Sequence, residues 1–181
     1  MTIPAPFTSF RHFAHWRLGL ALVLTSCAHR PDPGAAVPTV PTPSSSEPVT
    51  VATLADPPTV SPGDTFQLVV RVRIASGYHI YSTKASEGSF SPTSLTFILP
   101  DELAFAGDWV FPPPIITQTG ESVYRDSVLF RRQVKVQLNA VPKQLSIKGE
   151  LLCQACNPDL CFPARKLPIS ASVAVVSKTK K

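Results

Sequence analysis

Thr65-Phe-Gln-Leu-Val-Val-Arg-Val-Arg-Ile74 alternates with a period of two. Phe66, Leu68, Val70, Val72 and Ile74 share one face, and Gln67, Arg71 and Arg73 share the other. Alternation with β-branched residues marks a strand buried on one side. Ser127–Leu138 repeats the pattern, with Val128, Phe130, Val134, Val136 and Leu138 inward. Arg132 interrupts that inward face and marks an edge position or a bulge. Leu145, Ile147 and Leu151 face together in the next run, and Leu167, Ile169, Ala171, Val173 and Val175 in the last. Weaker strands are expected at Val49–Leu54, Tyr78–Tyr81, Leu95–Leu99 and Phe105–Val110. Turn-forming residues such as Ser61-Pro-Gly-Asp64 and Leu99-Pro-Asp101 separate them. About eight short strands without a helical period imply an all-β sandwich over residues 49–177.

Composition agrees with one folded domain plus extensions. The chain has 181 residues, 16% charged, with 20 prolines and a net charge of +5. The low charge argues against a highly charged disordered chain. No basic stripe interleaved with aromatics is present, so nucleic-acid binding is not expected.

Residues 1–26 read as an export signal. Arg11 and Arg17 precede the apolar run Leu18-Gly-Leu-Ala-Leu-Val-Leu24, and the stretch holds no acid. The run is far shorter than the roughly 20 residues of a membrane-spanning helix. Leu24-Thr25-Ser26-Cys27 resembles the lipobox of bacterial lipoproteins, which implies a lipid anchor on Cys27. Ala28 after it resembles the outer-membrane sorting pattern, so the protein is expected in the cell envelope, facing the periplasm. Without residues 1–26, which carry two arginines and no acid, the net charge is +3. Residues 27–48 read as a tether: six of the 21 residues from Ala28 to Pro48 are proline, a composition that favours extended chain over a packed core. A short basic tail, residues 178–181, closes the chain.

The chemistry concentrates in Cys153-Gln-Ala-Cys156-Asn-Pro-Asp-Leu-Cys161-Phe-Pro163. With Cys27 lipidated, three cysteines remain, which allows one bridge and one free thiol. Cys153 and Cys156 are three apart and point to opposite faces of a continuous strand. Cys156 and Cys161 flank Asn157-Pro-Asp-Leu160, a turn-forming tetrad. A hairpin there sets them opposite each other, with Cα atoms roughly 4.5–5.5 Å apart, within disulfide range. Cys156–Cys161 is therefore the expected pair. Its six-residue loop stabilises by only about 2 kcal/mol, against nearly 5 for a 100-residue loop. That favours a reversible pair over a staple. Cys153 reads as a small buried hydrophobe, with a resolving thiol as the alternative. A thioredoxin-type CxxC would need a following helix, which the pattern lacks. A thiolate metal site would need a fourth ligand, and only His29 and His79 lie beyond the signal. Neither a metal nor another cofactor is expected.

Tyr78-His-Ile-Tyr81 after Ser76-Gly77, then Glu121-Ser-Val-Tyr-Arg-Asp126, then Cys156-x4-Cys161-Phe-Pro resemble the N-terminal periplasmic domain of DsbD, the thiol:disulfide interchange protein. The resemblance covers about residues 50–177. It implies an immunoglobulin-like sandwich whose cysteine pair relays electrons by disulfide exchange. The implied partners are thioredoxin-like periplasmic proteins and a DsbD-type membrane electron donor, expected here as a separate protein. By motif, Cys156 and Cys161 would be the redox pair, with Tyr78 and Tyr81 beside it. The family's shielding cap would correspond to Gly107–Pro114, with Asp108 and Phe111 in place of its acidic-acidic-Phe segment. The cysteine spacing is four residues where some members have five. His79 is expected to alternate away from the cysteines. A second reading is a lipid-anchored, non-catalytic sandwich that binds an envelope protein and keeps the hairpin disulfide as structure.

Overall fold

The computed structural model describes residues 40–84 and 90–178. The export signal, Cys27, the first part of the tether and the last three residues of the tail lie outside the described residues. Among the described residues every regular element is a strand, and no helix is long and apolar enough to cross a membrane.

Twelve strands form three sheets. The first runs β1 (Val49–Asp56), β3 (Thr65–Ile74), β9 (Ser127–Val136) and β6 (Leu103–Val110), all antiparallel. The second runs β2 (Thr59–Val60), β12 (Arg165–Val175), β10 (Lys143–Cys153) and β5 (Ser94–Ile98); only β2 joins in parallel. The third is small: β11 (Ala155–Cys156), β4 (His79–Tyr81), β8 (Ser122–Tyr124) and β7 (Ile115–Ile116). The eight strands expected from periodicity are all present. The other four are two or three residues long, too short to carry a readable period.

The first two sheets face each other. Phe66, Leu68, Val134 and Val136 from one meet Leu145, Ile147 and Val173 from the other. Further along, Val70, Val72 and Phe130 meet Leu151 and Ile169, and here Ile80, Tyr124 and Ala155 of the third sheet close the interior. Phe130 is fully buried and touches both Tyr124 (5.5 Å) and Phe111 (5.3 Å). It ties the third sheet to the sandwich.

Two details depart from simple alternation. Leu138 is 80% exposed rather than inward, because β9 ends at Val136 and the chain turns, Ala140 N–H donating to the Gln137 carbonyl. Arg132 sits in the middle of its sheet, and the bulge it signals lies on the neighbouring strand. β6 pairs Ala106 with Gln133 and then Val110 with Arg131, so three β6 residues oppose Arg132 alone. The Arg132 guanidinium covers the Phe105 ring at 3.9 Å, and its Nε donates to the Gly107 carbonyl at 2.8 Å. The gap in the ladder is thus filled by a side chain.

The described chain starts at Val40, and its first nine residues already lie on the sandwich. Val40 is buried, its carbonyl accepts from Arg73, and the Pro41 carbonyl accepts from Thr50 Oγ1 at 2.8 Å. Ser45 offers its carbonyl to the Tyr78 hydroxyl at 3.4 Å.

Replacing Phe130 by Ala removes a buried ring shared by two sheets. The expected loss is about 3–5 kcal/mol, read as a lower urea midpoint at unchanged slope.

Candidate functional site

The site begins where the chain changes sheets. β10 pairs with β12 up to Cys153–Arg165, then Gln154 interrupts, and Ala155–Cys156 pair with Ile80–His79 of β4. The Gln154 side chain fastens this crossing. Its Oε1 accepts the Ser91 N–H at 2.8 Å, and its Nε2 donates to the Phe162 carbonyl at 3.1 Å.

The Asn157–Leu160 turn follows from its residues. Asn157 Oδ1 accepts the N–H groups of Asp159 (2.9 Å) and Leu160 (2.7 Å), the side-chain mimicry that makes asparagine a turn former. Asn157 N–H donates to the Leu160 carbonyl, and Phe162 N–H donates to the Ala155 carbonyl. Those two bonds flank Cys156 and Cys161, which makes them a non-hydrogen-bonded pair, the closer kind. Their Cα atoms are 4.0 Å apart and their sulfurs are joined.

The two cysteines differ in access. Cys156 is 1% exposed, whereas Cys161 is exposed. Cys153 is buried and free, and faces the sandwich interior with Leu151. Burial raises its thiol pKa to about 11, with Arg165 opposing. Such a thiol carries almost no thiolate near neutrality, so Cys153 behaves as a core residue.

Cross-strand partners share a face. Cys161, Cys156 and His79 therefore form one row, with Cys156 between the other two. Tyr81, two residues on from His79, lies on the same face, and with Val123 and Cys156 forms a small buried cluster. The His79 and Tyr81 rings meet edge to face at 5.5 Å. Phe90 stacks on Tyr81 at 4.5 Å. The Tyr81 hydroxyl donates to Glu121 Oε1 at 3.4 Å. Burial, the Glu121 charge and that hydrogen bond together hold the Tyr81 pKa at about 12. Burial lowers the His79 pKa, with Arg125 adding to the shift and Glu121 opposing it.

Tyr78 and Tyr81 approach the cysteine hairpin by different routes. Tyr81 covers Cys156, while Tyr78 packs against Phe162, the residue after Cys161, at 6.1 Å. His79 is a correction: it is half-buried on the cysteine face, because the β4–β11 pairing turns that face toward Cys156. Asp108 lies exposed in the β6 bulge. Phe111 packs on Phe130 and on Trp109 (6.2 Å). The aromatic that lies over Tyr81 is Phe90, and the acid that reaches it is Glu121. Phe90, Gln154 and His79 were not legible as site residues. Their places depend on which strands become neighbours, which no local period encodes.

A β-sandwich with an asymmetrically exposed disulfide across a hairpin defines a small all-β domain built around a cysteine pair. The family model for the thiol:disulfide interchange protein DsbD, N-terminal, matches residues 47–171. The chain belongs to that family, which is named for thiol:disulfide interchange, and its own fold is the all-β sandwich described above. Among solved structures, the N-terminal periplasmic domain of ScsB from Proteus mirabilis is similar at 13% identity and a TM-score of 0.43, over 70% of this chain and 47% of that one. The chain thus spans about half of that ScsB domain. The DsbD N-terminal domain of Neisseria meningitidis, in its reduced form, is similar at 22% identity and a TM-score of 0.40, over 64% of this chain and 80% of that one. The major pilin BcpA of Bacillus cereus is similar at 9% identity and a TM-score of 0.43, over 72% of this chain and 41% of that one. No curated protein matches the chain.

Two solution tests follow. Because the folded His79 pKa lies below 6.5, the unfolded chain takes up a proton first on acidification. Its share of stability is full above that value and falls as pH drops through it. The urea midpoint should fall between about pH 7.5 and 5, and fall less in His79→Phe. Second, Cys153 should resist alkylation at neutral pH until the domain unfolds, as peptide mapping would show.

Proposed function

We propose that the domain performs periplasmic thiol–disulfide exchange through Cys156 and Cys161, relaying electrons between thioredoxin-like proteins and a DsbD-type membrane donor. The observation that carries this is the unequal exposure of the two sulfur-bearing residues at the edge of a small sheet. An incoming thiolate meets Cys161 first. Its sulfur forms a bond to Cys161 Sγ, the Cys156–Cys161 bond breaks, and Cys156 leaves as thiolate. A second thiolate of the donor then attacks its own sulfur in the mixed disulfide and releases Cys161. The donor dithiol becomes a disulfide, and two electrons have moved to the domain. Delivery to a client runs the same steps in reverse. Cys156 resolves the mixed disulfide, and its burial keeps it from other oxidants.

Tyr81, covered by Phe90, supports the role of a local shield over Cys156, and Tyr78 against Phe162 supports Cys161 from the other side. Nothing comparable supports Asp108 and Phe111 as a cap: Asp108 is exposed in the β6 bulge and Phe111 packs on Phe130 and Trp109. Lipidation of Cys27 and outer-membrane placement, facing the periplasm, are supported by the sequence of the export signal and remain part of this reading. The opposing reading, an anchored binding module with a structural bridge, predicts a disulfide that does not exchange.

Single-cysteine variants separate the two. Cys156→Ser keeps the exposed Cys161 and should accumulate a mixed disulfide with a thioredoxin-like domain, at least about tenfold more than Cys161→Ser, whose remaining thiol is buried. The proposal fails if neither variant is trapped and the bridge has a potential below about −300 mV.

A further inference from the structure

Cys156 has two cross-strand neighbours on one face, Cys161 on one side and His79 on the other. In the oxidised domain its sulfur is bonded to Cys161. The imidazole on the other side is oddly placed: His79 Nε2 is buried and has no hydrogen-bond partner among the described residues. A buried polar atom without a partner is costly, and few are kept without a reason. The partner it lacks in this state is one that opening the disulfide creates. When Cys161 is attacked, Cys156 becomes a thiolate at a position that is 1% exposed, where water cannot solvate it. Side chains directly opposite across two strands have Cβ atoms roughly 4.5–5.5 Å apart, so rotation of the freed sulfur away from Cys161 brings it to the imidazole.

We propose that His79 is the hydrogen-bond donor to the Cys156 thiolate, so that opening the bridge exchanges a covalent partner on one side for an N–H···S partner on the other. The inference rests on the Cys156–Cys161 exchange reading and adds a catalytic group to it. The balance is simple. The attacking thiolate bonds to Cys161, the electron pair of the broken bond stays on Cys156, and His79 keeps its proton throughout. The edge contact with Tyr81 holds the ring in place before the sulfur arrives. The charged groups acting on it are Arg125, which disfavours a second ring proton, and Glu121, which favours one. Their opposition, with burial, leaves the oxidised-state ring neutral near pH 7, able to donate from one nitrogen only. The same contact biases the direction of cleavage. Of the two sulfurs, the one with a waiting donor is the better leaving group, which reinforces attack at Cys161.

The first test needs no variant. Imidazole NMR of the full mature chain should show His79 titrating at higher pH in the reduced domain than in the oxidised one, because a thiolate then faces it. Identical titration in the two states overturns the proposal. The second test is the equilibrium with glutathione. His79→Phe keeps the ring contact with Tyr81 but not the donor, and should shift the equilibrium about tenfold toward the disulfide, as expected for a lost hydrogen bond to a charged group. His79→Gln, which restores an N–H, should recover much of the loss. A merely structural role would weaken both redox states alike and leave the equilibrium within about twofold of wild type, which again overturns the proposal. Glutathione reads the bridge itself, so the result stands apart from whether a thioredoxin-like partner is ever trapped.

Discussion

Two-residue periodicity from Leu151 to Cys156 is the constraint on which this site rests. It sends Cys153 into the interior with Leu151 and leaves Cys156 on the other side, so the two nearest cysteines cannot meet. Cys156 is then left with whatever the turn delivers, and Asn157 delivers Cys161 by capturing two backbone N–H groups. The cysteine pair is therefore a property of a hairpin and not of the interior. Cys156 packs in the small cluster with Tyr81 and Val123, apart from the residues between the large sheets.

Gln154 shows how the small sheet is kept in register with the large ones. It stands at the one residue where the chain is between sheets, and its amide reaches both Ser91 and Phe162. Ser91 follows Phe90, which lies on Tyr81; Phe162 follows Cys161 and meets Tyr78. One side chain thus positions the aromatic cover and the exposed cysteine together.

The sandwich was legible because long strands write their own period. β3, β9, β10 and β12 each run ten or eleven residues, enough alternation to separate inner from outer faces. The disulfide was legible for the same reason, since parity and a turn tetrad leave little choice. What stayed hidden is pairing between short strands. β11 has two residues and β4 three, and only their adjacency puts His79 opposite Cys156. Phe90 escaped because nothing in its local sequence points to Tyr81. Arg132 was legible as an irregularity but not as its remedy, because the bulge it fills belongs to another strand.

The docking of Val40–Pro48 on the sandwich has a spatial consequence. Of the 21 residues from Ala28 to Pro48, the last nine lie against the domain surface, and the other twelve fall outside the described residues. Twelve residues of extended chain reach roughly 40 Å at most. With Cys27 held in a lipid leaflet as proposed, the domain would be confined to a thin layer above it. Any protein that trades electrons with the exposed sulfur would have to come down into that layer, whatever its own abundance elsewhere in the compartment.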